Sequence, residues 1–199
     1  MHDLFNQTDP LRVPMEGADV TFHRRPDLGM PPRQLKRILR RDIPWEQRSI
    51  RIRGREIPQP RLVSWHGDAA YAYSGLKLTL NPWTPTLLAL RDRVQEITGA
   101  TYNSVLLNLY RNGRDSIGFH SDDEPELGPE PTIASISLGD SRTFALKRKD
   151  GTGKRINLEL EHGSLLVMAG ETQKNWLHGI DKTNEHKGER INLTFRQTA

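Results

Sequence analysis

From residue 103 onward the chain changes rhythm: short runs of alternating apolar and polar residues are separated by turn dipeptides. Side chains along an extended strand point alternately to its two faces, so period two marks a strand. The spacing predicts strands at 103–111, 117–122, 132–138, 142–149, 155–160, 163–169, 174–180 and 190–196. Asn112-Gly113, Gly139-Asp140, Asp150-Gly151 and His162-Gly163 supply turns between them. Two helices precede this region. PPRQLKRILRRDI (31–43) has prolines only in its first turn, where proline is tolerated. TPTLLALRDRVQEITG (84–99) has Thr84 as N-cap, Pro85 at N1, Gly99 past the end and a stripe of Leu87, Leu88, Leu90, Val94 and Ile97. Between them, SIRIRGREIPQPRLVSW reads as a strand, a turn at Gly54 and a second strand.

Many short strands after one or two helices give an α+β, mainly β class. The expected architecture is an antiparallel double-sheet barrel with outer helices and a basic N-terminal hairpin extension. At 199 residues, with no internal repeat or low-complexity linker, the chain holds one folding domain. Its parts are an acidic, poorly specified tail (1–22), a basic helix and hairpin region with the supporting helix 84–99 (23–101), and the barrel (102–199).

Charge separates these parts. Residues 1–23 hold one arginine against four acids, whereas residues 24–61 hold twelve Lys/Arg against four. The remainder holds sixteen against seventeen, so one segment carries the whole excess. Clustered arginine suits phosphate contacts; a merely solvated basic face is the alternative. There is no cysteine, which excludes disulfides, thiolate metal sites and cysteine nucleophiles and fits a reducing, cytoplasmic setting. No secretory leader is apparent in MHDLFNQTDP and no apolar run is long enough to span a membrane. Nothing implies an obligate protein partner.

GFHSDDEPE (118–126) places His120, Asp122, Asp123 and Glu124 together. In an extended strand, His120 and Asp122 share a face and can reach one ion. His-x-Asp alone is weak, and His66-Gly67-Asp68 is a second instance. RINLTFR (190–196) adds discrimination. Ile191, Leu193 and Phe195 face one way; Arg190, Asn192, Thr194 and Arg196 face the other. Arginines at both ends of one face, about 20 Å apart along the strand, can grip the two ends of a dicarboxylate by folding inward. Asn108 and Tyr110 repeat the arrangement amid Val105, Leu106, Leu107 and Leu109. His178, in NWLHGI, completes a set of two histidines and one carboxylate, the facial triad of non-haem Fe(II) oxygenases. The helical H-E-x-x-H pattern of hydrolytic zinc is absent.

With these segments the sequence resembles the AlkB family of Fe(II)- and 2-oxoglutarate-dependent dioxygenases. PRLVSWHGDAAYAYSGL, LLNLYRNGRDSIGFHSDDE, IASISLGDSRTF, HGSLLVM, WLHGI and RINLTFR carry the resemblance, over roughly residues 50–197. It is most similar to the branch that repairs alkylated duplex DNA. The resemblance implies a double-stranded β-helix, a jelly-roll barrel. It implies iron held by His120, Asp122 and His178, with 2-oxoglutarate held by Asn108, Tyr110, Arg190, Asn192, Thr194 and Arg196. Arg190 would take the distal carboxylate and Arg196 the one near the metal. Region 23–101 would recognise the nucleotide. Tyr71, Tyr73, Asp123, Glu124, Arg53 and Arg61 would meet the substrate, with the acids and aromatic faces favouring a base that alkylation has made cationic.

The implied reaction consumes O2 and 2-oxoglutarate, releases succinate and CO2, and removes an N-alkyl group from bases such as 1-methyladenine or 3-methylcytosine as formaldehyde. The partner would be alkylated DNA, single- or double-stranded, with RNA or protein as other substrates of the same chemistry. A non-catalytic nucleic-acid-binding barrel is the reading from another class. His66 and Asp68 fall outside the metal motif. One departure stands out: duplex-repair relatives carry an apolar wedge at the hairpin tip, where this chain has Arg53.

Overall fold

The computed structural model describes residues 10–198 apart from 53–54, 69–71, 74–75 and 78, and only the main chain of 50–52, 72–73 and 76–77. The first half of the chain runs β1 (Leu11–Arg12), β2 (Asp19–His23), α1 (Pro32–Asp42), β3 (Glu46–Ile52), β4 (Arg55–Gly67), β5 (Ala72–Tyr73), β6 (Leu76–Lys77), β7 (Leu80–Asn81) and α2 (Pro85–Thr98). The second half runs β8 (Ser104–Tyr110), β9 (Ile117–His120), β10 (Ile133–Gly139), β11 (Arg142–Arg148), β12 (Ile156–Leu160), β13 (Ser164–Ala169), α3 (Thr172–Asn175), β14 (Trp176–Ile180) and β15 (Arg190–Arg196).

Among the described residues, the larger sheet has the order β1-β2-β13-β10-β15-β8-β4-β3, with β7 parallel to β4. The smaller has the order β12-β11-β14-β9. The larger sheet has two buried faces. On its outer face, Ile191, Leu193 and Phe195 join Val105, Leu107, Leu109, Ile136 and Leu138. Leu35 and Leu39 of α1 and Leu87, Leu90 and Val94 of α2 cover them. Burying each such side chain contributes about 1.5–3 kcal/mol, so the three from β15 alone are worth roughly 5–9 kcal/mol. A one-residue slip would forfeit that, which fixes which residues face inward. On the inner face, Val20, Phe22, Leu166 and Met168 meet Phe144, Leu146, Trp176 and Ile180 of the smaller sheet.

The two helices form as their ends dictate. Thr84 Oγ1 accepts the Leu87 N–H at 3.2 Å, Pro85 occupies the first turn, and Gly99 ends α2 at φ 70°. Thr84→Ala is expected to cost about 1 kcal/mol, read as a lower denaturant midpoint at unchanged slope. An unchanged midpoint would show that the cap contributes nothing.

Three segments differ from expectation. Residues 19–22, placed in the tail, form with His23 a strand paired with β13, because Val20 and Phe22 alternate into the inner core. The short V-T-F alternation was hidden within an acidic run. The strand expected at 117–122 stops at His120. The strand expected from 174 starts at Trp176, after the turn of α3. β3 and β4 pair through Ile52↔Arg55, whereas β4 pairs with β8 only from Leu62. The hairpin therefore runs on past the barrel, and its tip residues 53–54 lie outside the described residues.

Candidate metal centre

β9 and β14 lie side by side with His120 opposite His178, so the two imidazoles meet edge to face with centroids 4.4 Å apart. Phe144 stacks on His178 at 5.2 Å. Asp122 follows β9 and turns its carboxylate toward both rings: Oδ1 is 3.9 Å from His120 Nε2 and Oδ2 is 4.0 Å from His178 Nε2. Ligand atoms of the three residues lie within 4.8 Å of one another, the single such group among the described residues. His66 and Asp68 do not join them. Buried His66 bonds to Ser64 Oγ and the Pro82 carbonyl, and Asp68 accepts from Trp83 Nε1.

The inner row of β15 faces this cluster across the barrel. Arg196 Nη2 donates to Asp122 Oδ1 at 2.9 Å. Asn192 and Asn108 sit opposite each other on adjacent strands, and Asn108 Nδ2 donates to Asn192 Oδ1 at 3.2 Å. Thr194 Oγ1 donates to the same oxygen at 3.1 Å, and Asn192 Nδ2 donates to Ser135 Oγ. Arg190 lies at the other end of the row, its guanidinium 5.1 Å from the Tyr110 ring centroid and its Nη2 donating to Ser137 Oγ. One cavity is lined by the triad and by all six residues expected to hold 2-oxoglutarate.

Charge states follow from burial and neighbours. Burial alone would raise the Asp122 pKa, but Arg196, His178 and His120 outweigh it and hold it down to about 2. Burial, aided by His120, pushes His178 down to about 3 against the pull of Asp122. At neutral pH these two residues are therefore a carboxylate and a neutral imidazole, the forms that bind a divalent cation. Burial pushes Arg190 down to about 10, so it remains a cation.

The donor set fits the implied groups. Asp122 Oδ2 is buried without a hydrogen-bond partner among the described residues, as are Nε and Nη1 of Arg190. A buried polar atom so placed carries a free-energy cost that a ligand can relieve. A cation beside Asp122 and a carboxylate at Arg190 would satisfy them. Two histidines and one carboxylate leave positions on an octahedral ion for a co-substrate and an oxidant.

The substrate residues are more scattered. Asp123 is exposed and paired with Lys149 at 2.7 Å, and Glu124 is half-buried. Arg61, expected at the substrate, is buried and donates through Nε to Asn108 Oδ1 at 2.8 Å. As the inward position next to Val63, it supports the co-substrate row. Tyr71 and Arg53 lie outside the described residues, and Tyr73 is described only as main chain in β5. Ser135 and Ser137 were not singled out from sequence. Their alternation in IASISLG was a usable signal once β10 pairs with β15.

Residues 32–196 match the model of the 2OG-Fe(II) oxygenase superfamily. The chain belongs to that superfamily. It is 44% identical over 164 residues to human "alpha-ketoglutarate-dependent dioxygenase alkB homolog 3", covering 78% of this chain and 57% of that one. It is 44% identical over 157 residues to mouse "DNA oxidative demethylase ALKBH2", covering 74% and 66%. The relative of that name from Arabidopsis thaliana is 40% identical over 186 residues, covering 79% and 59%. The chain thus spans somewhat over half the length of these relatives. A 2OG-Fe(II) oxygenase-family oxidoreductase from Burkholderia pseudomallei shares the fold at TM-score 0.60 and 15% identity, covering 90% of this chain and 84% of that one. OsALKBH1 does so at 0.57 and 20%, covering 83% and 90%. The resemblance read from the motifs and the jelly-roll fold are both borne out.

Proposed function

We propose that this chain oxidatively dealkylates N-alkylated bases in nucleic acid, DNA above all, as a repair enzyme. The observation that carries the reading is the inner face of the barrel: a metal-binding triad joined through Arg196 to a buried polar row that ends in a second buried arginine. The names of the relatives and the basic segment 24–61 support nucleic acid as the substrate class.

His120, Asp122 and His178 would hold Fe(II). When bound, the iron with 2-oxoglutarate and O2 supplies the oxidation of an N-alkyl C–H bond, with succinate and CO2 as by-products. The chain supplies position and charge. Arg190 receives the distal carboxylate and Arg196 the end near the triad, while Asn108, Asn192, Thr194 and Tyr110 shape the space between. Phe144 and Ile180 line the same cavity and keep it apolar beside the triad. Asp123 and Glu124, which follow Asp122 in the chain, would favour a cationic base, with Tyr71 and Tyr73 proposed to stack on it. The hydroxylated N-alkyl group then falls away as formaldehyde, leaving the free base. Mass spectrometry of methylated single- and double-stranded oligonucleotides, incubated with Fe(II), 2-oxoglutarate and air, tests the reading. Unchanged oligonucleotides would sink it.

Strand preference turns on Arg53. An apolar wedge fills the gap left by a flipped base, whereas an arginine serves mainly by gripping phosphate. Flipping from a duplex costs a few kcal/mol more than taking a base from a single strand. The wild type is therefore expected to act on single strands at least as well as on duplexes, and Arg53→Phe to shift the rate ratio toward duplexes. Initial rates on one methylated sequence, single and paired, at fixed salt measure this. A wild type that strongly prefers duplex, with no shift in the variant, would refute it.

A further inference from the structure

Asp122 is the member of the triad that no strand holds. β9 ends at His120, so the ladder that sets His120 opposite His178 stops two residues short of the carboxylate. The main chain at Asp122 is fixed from elsewhere. Gln173, in the turn of α3 that leads into β14, is 1% exposed, and its Oε1 accepts the Asp122 N–H at 3.0 Å. Its Nε2 faces Met168 Sδ at 3.6 Å, which orients the amide with its oxygen toward Asp122. Beside it, Thr172 Oγ1 donates to the Ala169 carbonyl and accepts the Asp19 N–H, anchoring the turn to β13 and β2.

We propose that Gln173 is a positioning residue for the metal carboxylate. It sets the main chain of Asp122, while Arg196 holds Oδ1, so that Oδ2, unpartnered among the described residues and 4.0 Å from His178 Nε2, is left to a metal. This rests on the metal-centre reading of the triad. Groups that orient a ligand are worth about 10- to 100-fold in metal affinity.

The test is anaerobic titration of metal-free protein with Co(II), read by its visible absorption, for wild type, Gln173→Met and Gln173→Glu. Methionine keeps the volume and removes the acceptor; glutamate keeps an acceptor. Gln173→Met is expected to bind Co(II) about 10- to 100-fold more weakly with altered band positions, and to melt a few degrees lower because the buried Asp122 N–H loses its acceptor. Gln173→Glu is expected to recover the wild-type bands. Equal affinity and bands in wild type and Gln173→Met would overturn the role. So would a parallel loss of affinity and melting temperature in both variants, which marks simple packing. Wild type that takes up no Co(II) would instead remove the metal-centre reading, and the proposal with it.

Discussion

Asp122→Ala is expected to abolish the proposed demethylation and to leave the protein unable to hold iron at micromolar concentrations. Two imidazoles remain, and they lack the anion that makes the site selective for a hard divalent cation. The loss is compounded because Asp122 is 1% exposed and accepts from Arg196, itself 2% exposed. Removing one partner of a buried pair costs about 3–5 kcal/mol, since the other charge is left in a low dielectric. Asp122→Asn keeps the size and one acceptor, and is expected to fold better while still failing to bind metal. Iron titration and formaldehyde release, measured on the same preparations, check both. Wild-type turnover in either variant would refute the metal assignment.

Arg190→Met is expected to raise the 2-oxoglutarate concentration for half-maximal succinate release by about 10- to 150-fold, from the roughly 1.5–3 kcal/mol of a charge-assisted contact. Metal affinity is expected to hold, because Arg190 bonds to Ser137 and lies over Tyr110, away from the triad. Arg196→Ala differs in kind. Arg196 itself donates to Asp122, so co-substrate dependence and metal affinity are expected to change together. An unchanged co-substrate dependence in Arg190→Met, with weakened binding to unmethylated oligonucleotide, would reverse the roles assigned to this strand.

The barrel was legible because its code is local. Alternation placed β15 at its observed bounds, and the cap and C′ residues of α2 are visible in sequence. The triad was legible only in part. His120 and Asp122 were expected on one strand face, yet Asp122 lies beyond the strand and is held by a glutamine 51 residues away. No pattern near Gln173 announces that contact, because a tertiary hydrogen bond has no sequence period. Arg61 was misplaced for a related reason. The resemblance implied a place at the substrate, but alternation with Val63 and Trp65 turns it inward onto Asn108. The acidic start hid β2, whose pairing with β13 is a long-range event that a three-residue alternation cannot signal.

The buried guanidinium of Arg190 gives the proposed co-substrate a means to stabilise the folded chain. Two of its nitrogens are enclosed without hydrogen-bond partners among the described residues. A dicarboxylate that satisfies them binds the folded chain and has no such site on the unfolded one. Saturation at about 100 times the dissociation constant adds about 2.7 kcal/mol to the unfolding free energy. If Arg190 takes the dicarboxylate as proposed, 2-oxoglutarate is expected to raise the melting temperature of the folded chain, and Arg190→Met to remove that rise.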